Sequence, residues 1–127
     1  MPRQAKLFLT IGAIAMLAAV ALDAFGAHAL KSQIGPDLLA VYHTGVEYHF
    51  YHASGLLIVG LAAQRLPDSN WLRASGWLML AGILLFSGSL YLLALTGVRA
   101  LGAVTPVGGV AFMLAWVLFA VAVAKSP

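Results

Sequence analysis

The residues best suited to chemistry are ionisable side chains that lie within, or at the ends of, long apolar segments. They are Asp23, His28, His43, Glu47, His49 and His52. Carboxylates and imidazoles are unfavourable in hydrocarbon, so at membrane depth they indicate either a functional site or a polar network shielded by protein. Because Asp23 and His28 end the first apolar segment and the others begin the second, antiparallel packing would bring all six to a similar depth on the outer side of the membrane.

The helical repeat separates these residues into groups. At about 100° per residue, His43 and Glu47 lie one turn apart on one face of a helix, whereas Tyr48 and His52 form a second such pair on another face. His49 points in a third direction. The six side chains therefore cannot all converge on one point unless the helix is broken, which argues against a four-ligand metal cage and predicts two smaller polar clusters.

One interpretation of the clusters is a structural hydrogen-bonded network. In it, Glu47 pairs with a histidine, with Lys31 or with Arg99, and tyrosines satisfy the remaining polar groups near the headgroups. Removing one member of such a pair should destabilise the protein, because a charge is then left alone.

Two functional interpretations stay open beside it. Asp23, His43 and Glu47 have the groups needed for a path for protons or a small solute. Alternatively, His28 with His43 and Glu47 supplies plausible ligands for a metal ion or haem iron. The sequence contains no paired-histidine metal motif and leaves the cofactor unknown.

The composition shows which environment must hold these residues. The chain has 127 residues, of which 62% are hydrophobic and 9% are charged, and its mean hydropathy is +0.96. Such a chain cannot form the polar exterior of a water-soluble domain of this size. The absence of cysteine excludes disulfides and thiolate chemistry, and the basic residues occur singly, which argues against nucleic-acid binding.

The apolar segments predict an all-α integral membrane protein, a single domain built as a bundle of four transmembrane helices. The predicted spans are residues 7–27, 41–63, 72–96 and 101–124. Residues 30–40 are predicted to form an interfacial segment with a short helix, since Pro36 and Asp37 suit a helical first turn. The first span is expected to be retained and not cleaved as a leader.

The distribution of basic residues predicts the orientation. Five of them lie on the side that carries both termini, namely Arg3, Lys6, Arg65, Arg73 and Lys125, against Lys31 and Arg99 on the other side. The positive-inside rule therefore predicts a bacterial inner-membrane protein with cytoplasmic N and C termini.

Small side chains in the third span predict a packing face. Ser75, Gly82, Ser89 and Thr96 recur every seven residues, which places them along one seam where a second helix can approach closely. The partner helix belongs either to this chain or to a second copy. Residues 105–109, which include a proline and two glycines, permit a broken or tightly packed start of the fourth helix.

Four ordered motifs carry a family resemblance. They are Ala24-Phe25-Gly26-Ala27-His28, Thr44-Gly45-Val46-Glu47-Tyr48 followed by His52, Leu85-Phe86-Ser87-Gly88-Ser89-Leu90-Tyr91, and Thr105-Pro106-Val107-Gly108-Gly109. In these the chain resembles the YgdD-like family of bacterial membrane proteins, domain of unknown function 423, to which eukaryotic transmembrane protein 256 is similar. The resemblance implies a four-helix inner-membrane protein and brings no activity, substrate or cofactor. It favours His28, Glu47 and His52, whereas His49 and Asp23 depart from the family pattern.

The sequence thus predicts a non-enzymatic membrane protein that binds or scaffolds a partner, a lipid or a small ligand through the outer polar cluster. No nucleophile–base arrangement, phosphate loop or carboxylate pair indicates an enzyme. A small transporter or proton-coupled factor using Glu47 and nearby histidines is the alternative, and metal or haem binding is the third. The expected partners are the lipid bilayer and either further copies of the chain or another membrane protein.

Overall fold

The computed structural model describes residues 1–127 and contains helices and turns but no strands. The α-helices are α1 (Arg3–His28), α2 (Pro36–Ala63), α3 (Asn70–Gly82), α4 (Gly88–Thr96) and α5 (Thr105–Ala124). A π-helical turn, Ile83–Ser87, joins α3 to α4, so that Asn70–Thr96 forms one continuous segment. The predicted all-α architecture of four long helical segments is confirmed.

Three of the four segments are long and apolar enough to cross a membrane: Arg3–Ser32, Asn70–Thr96 and Arg99–Ala124. The fourth, α2, has 28 residues, which corresponds to about 42 Å at the rise of an α-helix. That length exceeds a hydrocarbon layer of roughly 30 Å. What distinguishes α2 is the polar composition of its first half.

The second helix begins earlier than the predicted span. It starts at Pro36 instead of residue 41, with Gly35 as its N-cap and Asp37 in its first turn. The proposed short interfacial helix is therefore the first turns of α2, and only a 3₁₀ turn at Leu30–Ser32 precedes it. Proline lacks an N–H and has a fixed φ, so it suits this first helical position.

The fourth helix begins later than the predicted span. Its α-helical part starts at Thr105 instead of residue 101, and a 3₁₀ turn, Arg99–Ala103, comes before it. Pro106 determines this boundary, because proline is accommodated in the first helical turn but not further inside. At the start of α3, Ser69 acts as the cap, and its hydroxyl accepts a hydrogen bond from the N–H of Leu72 at 3.2 Å.

Glycines allow α1 and α2 to pack closely. A Cβ added at Gly60 would lie 2.8 Å from the backbone nitrogen of Leu9, and one added at Gly12 would lie 3.0 Å from that of Leu57. The two helices therefore approach almost backbone to backbone. Helix α2 also packs against α3, the π turn and α4, while α5 packs along α3. This makes α2 the helix shared by most interfaces.

The predicted small-residue seam of the third segment faces α5 over most of its length. The buried hydroxyl of Ser75 donates to the carbonyl oxygen of Ala115 at 2.6 Å. At Gly82, an added Cβ would collide with the ring of Phe112. The helix that uses this seam is therefore part of the same chain.

The outer end of the seam behaves differently. Ser89 forms a hydrogen bond of 2.6 Å with the hydroxyl of Thr105, but Thr96 is exposed and donates to the carbonyl of Leu92 in its own helix. Since the α-helical part of α5 begins at Thr105, beside Ser89, it does not extend to the level of Thr96.

Candidate functional site

Most of the ionisable residues singled out from the sequence have exposed side chains. The exposed ones are Asp23, His28, His43, Glu47 and Arg99. In contrast, His49 and His52 are each 4% exposed. The structure thus does not gather these residues into one site, and it contains no group of three His, Cys, Asp or Glu side chains that could hold a metal ion.

Glu47 has a different partner from those expected. Its Oε1 atom accepts a hydrogen bond from the hydroxyl of Tyr51, one turn further along α2. Lys31 and Arg99 are exposed in the turns outside the long helices. Because Glu47 and His43 lie on the exposed side of α2, a route that links them to Asp23 would follow the protein surface and not its interior.

His52 occupies the centre of a buried polar contact between α2 and α5. Its Nε2 atom lies 3.1 Å from the indole Nε1 of Trp116, and its Nδ1 atom lies 2.8 Å from the carbonyl oxygen of Tyr48. An indole N–H only donates and a carbonyl only accepts. These partners therefore select the neutral imidazole with its hydrogen on Nδ1.

Aromatic rings surround His52. Its ring is stacked on that of Phe112, with centroids 3.4 Å apart and planes 8° apart. Phe86, from the π turn, packs against Tyr48 at 4.7 Å and against Phe112 at 5.5 Å between centroids. Gly108 permits this arrangement, because an added Cβ would collide with the backbone of Phe86.

These rings form the wall of an open groove of about 640 Å³, which we call the aromatic groove. Its lining residues are Tyr48, Tyr51, His52, Phe86, Gly109, Phe112, Met113 and Trp116. The groove opens sideways from the bundle, since Met113 is 64% exposed and Tyr48 is 38% exposed. At 1.5 Å per residue, His52 lies about 17 Å from the end of α2 at Ala63, close to half the thickness of a hydrocarbon layer.

The groove offers a small number of polar groups in an apolar setting. The Tyr51 hydroxyl is engaged by Glu47 at the rim, and both nitrogens of His52 are occupied. The hydroxyl of Tyr48 has no partner within the chain and remains free to hydrogen-bond. Such an arrangement can stack a flat apolar group and orient it with one hydrogen bond.

A second buried polar contact, the inner cluster, consists of Tyr42, His49 and Tyr91. The Tyr91 hydroxyl and His49 Nδ1 are 2.8 Å apart, and the Tyr42 hydroxyl donates to the carbonyl oxygen of Leu22. The rings of Tyr42 and Tyr91 lie 5.2 Å apart. A network of the structural kind expected around Glu47 is thus found around His49 instead.

Tyr48 and His52 were predicted from the sequence to share a helix face, but the aromatic residues opposite them were not predicted. Phe86, Phe112 and Trp116 appear in the sequence as ordinary members of apolar spans. The available signal was the spacing in α5, where Phe112 and Trp116 are one turn apart and Gly108 comes one turn earlier. A glycine one turn before two aromatic residues indicates a close helix contact beside a ring-lined surface.

Comparison with known proteins places the chain among membrane proteins. A family model described as "Protein of unknown function (DUF423)" matches residues 22–109. The UPF0382 membrane protein YwdK of Bacillus subtilis is 52% identical over 120 residues, which cover 94% of this chain and 98% of that protein. UPF0382 membrane proteins of Staphylococcus epidermidis and Staphylococcus aureus are 42% and 43% identical over 121 residues, covering 94% of this chain and 97% of theirs. No solved structure matches the chain.

Proposed function

This chain belongs to the DUF423 family of membrane proteins, and we propose that it is a non-enzymatic protein that binds a small lipid-dissolved ligand in the aromatic groove. The observation that carries the proposal is the opening of a ring-lined groove toward the side of the bundle. A ligand would enter from the hydrocarbon layer and not from water. The alternatives of a protein partner or a scaffold are outcomes of the test below.

The groove has the size and lining of a small-molecule site. Its volume of about 640 Å³ lies within the range of roughly 300–1,000 Å³ that is typical of ligand pockets. Phe86, Phe112 and Met113 provide an apolar surface, and the Tyr48 hydroxyl provides one directional contact. The matching ligand has a flat or flexible apolar part and at least one hydrogen-bond donor or acceptor.

The rigidity of the wall supports binding without chemistry. His52 is held by two hydrogen bonds and a stacked ring, so its nitrogens are not available to a reacting group. A preorganised surface of this kind lowers the conformational entropy that the protein must lose when a ligand binds.

The test is to fill the groove from Gly109. A Cβ at this position would lie 3.9 Å from Phe86 Cδ2, an ordinary contact, so that Gly109→Leu can fold while its side chain projects into the groove. Wild type, Gly109→Leu and the control Gly109→Ala are purified from native membranes in lipid nanodiscs. Their organic extracts are then compared by mass spectrometry.

We expect one lipophilic compound to be enriched with wild type and Gly109→Ala and depleted about tenfold with Gly109→Leu, equivalent to roughly 1.4 kcal/mol. Identical extracts from all three proteins would refute ligand binding in the groove. A second protein that co-purifies with wild type and Gly109→Ala but not with Gly109→Leu would instead identify a scaffold. A pH-driven flux in vesicles that disappears in Glu47→Gln would identify the proton-coupled alternative.

The proposal includes the orientation predicted from the basic residues, with both termini in the cytoplasm. Five of the seven Lys and Arg residues lie at the end of the bundle that carries the termini, and such a bias sets the topology of short-loop proteins. Reporters that are active on one side of the membrane only, fused in turn to each terminus, should both give the cytoplasmic signal. A periplasmic signal from either fusion would reject this topology.

A further inference from the structure

A second cavity, the basic cavity, lies where α1 and α3 begin, away from the aromatic groove. It has a volume of about 630 Å³, and its charged lining residues are Arg3, Asp68 and Arg73. Two arginines against one aspartate give the lining a formal charge of +1. The cavity therefore favours an anion, although the carboxylate of Asp68 weakens that preference.

The guanidinium of Arg73 is fixed in this cavity by neighbouring side chains. Its Nε donates to the amide oxygen of Gln4 at 3.0 Å, and its Nη1 donates to Asn70 Oδ1 at 3.3 Å. Gln4, which is 7% exposed, in turn donates to the carbonyl oxygen of Ser69 at 3.4 Å. The Nη2 end of Arg73 keeps free N–H donors, and Arg3 forms no side-chain hydrogen bond in the structure.

The same cavity has an apolar part below its charged rim. Leu7, Phe8 and Trp77 line it, and the rings of Phe8 and Trp77 make an edge-to-face contact with centroids 5.5 Å apart. Trp77 is partly exposed, as is usual for tryptophan at the boundary between headgroups and hydrocarbon. The cavity thus combines cationic donors with an apolar surface that extends into the predicted membrane.

We infer that the basic cavity binds an anionic phospholipid, with Arg3 and Arg73 on the phosphate and Leu7 and Trp77 against the first part of an acyl chain. Guanidinium groups form paired, charge-assisted hydrogen bonds with phosphate oxygens. Basic pockets between membrane helices bind headgroups by this combination of charge and shape. Free phosphate shares the charged contacts but cannot use the apolar surface. This inference does not depend on the aromatic groove.

The experiment measures lipid binding by native mass spectrometry of the full chain in detergent. Phosphatidylglycerol, phosphatidylcholine and inorganic phosphate are titrated separately against wild type, Arg3→Gln and Lys6→Gln. Lys6→Gln is the matched control, because Lys6 is an exposed cation on the same first turns of α1 but does not line the cavity. Arg3→Lys, which keeps the charge and loses the planar fork, is the second variant.

We expect wild type and Lys6→Gln to retain phosphatidylglycerol in preference to phosphatidylcholine, and Arg3→Gln to bind phosphatidylglycerol roughly fivefold more weakly. Arg3→Lys should fall between wild type and Arg3→Gln. Equal losses of phosphatidylglycerol binding in Arg3→Gln and Lys6→Gln would show a general charge effect and would overturn the proposed lipid site. Inorganic phosphate that binds as tightly as phosphatidylglycerol would overturn the assignment of the cavity to a phospholipid.

Discussion

His49 and His52 lie three residues apart on α2, are equally buried, and have different surroundings. His49 faces the interior of the bundle, where the Tyr91 hydroxyl satisfies its Nδ1. His52 lines the aromatic groove, which opens to the side of the bundle. Burial of a polar residue at membrane depth therefore does not by itself indicate a site. The two histidines differ because the aromatic groove adjoins His52 and does not adjoin His49.

We expect the largest loss of stability from a substitution at Gly108, where α5 packs against the π turn that forms part of the wall of the aromatic groove. Gly108→Ala places a Cβ against the backbone of Phe86, which cannot yield as a side-chain tip would. We expect the free energy of unfolding to fall by about 3 kcal/mol, measured by titration with a denaturing detergent. The neighbouring Gly109→Ala is the control, and its added Cβ makes only ordinary contacts. Equal losses in both variants would contradict the described contact between α5 and the π turn.

The contact at Gly108 also shows which parts of the helix packing could be predicted from the sequence. Residues 105–109 permitted a broken or tightly packed helix start, and Pro36 predicted a helical first turn that the structure contains. The π turn at Ile83–Ser87 could not be predicted, since its widened geometry has no residue signature. It presents Phe86 to Tyr48 and Phe112, and so it creates a wall that the helical repeat of α2 alone does not reveal.

The faces of α2 were predictable only in part. The repeat placed Tyr48 and His52 together, as the structure does. It could not tell which face meets another helix, because polar residues occur all round the first half of α2. The aromatic residues of α5 determine which face is buried. The indole N–H of Trp116 donates to His52 in the interior, whereas Glu47 remains at the surface with Tyr51. Whether His28, Glu47 and Arg99 take part in function stays a prediction. The suggested similarity to eukaryotic transmembrane protein 256 also stays a prediction.

A smaller effect should separate the two histidine environments directly. Tyr91→Phe removes the hydroxyl that satisfies His49, and we expect it to lower the free energy of unfolding by roughly 1 kcal/mol. Tyr48→Phe removes a hydroxyl that has no partner within the chain, so we expect stability within a few tenths of a kcal/mol of wild type. Detergent unfolding of both variants checks this pair. The comparison fails if Tyr48→Phe is the more destabilised of the two.

The most direct measurement of the central claim is native mass spectrometry of the protein released from its own membranes. We expect an adduct of one lipophilic small molecule on wild type and on Arg3→Gln, which leaves the aromatic groove intact, and we expect Gly109→Leu to lose this adduct. An adduct that is absent from wild type, or retained unchanged in Gly109→Leu, would contradict the assignment of the aromatic groove as a ligand site.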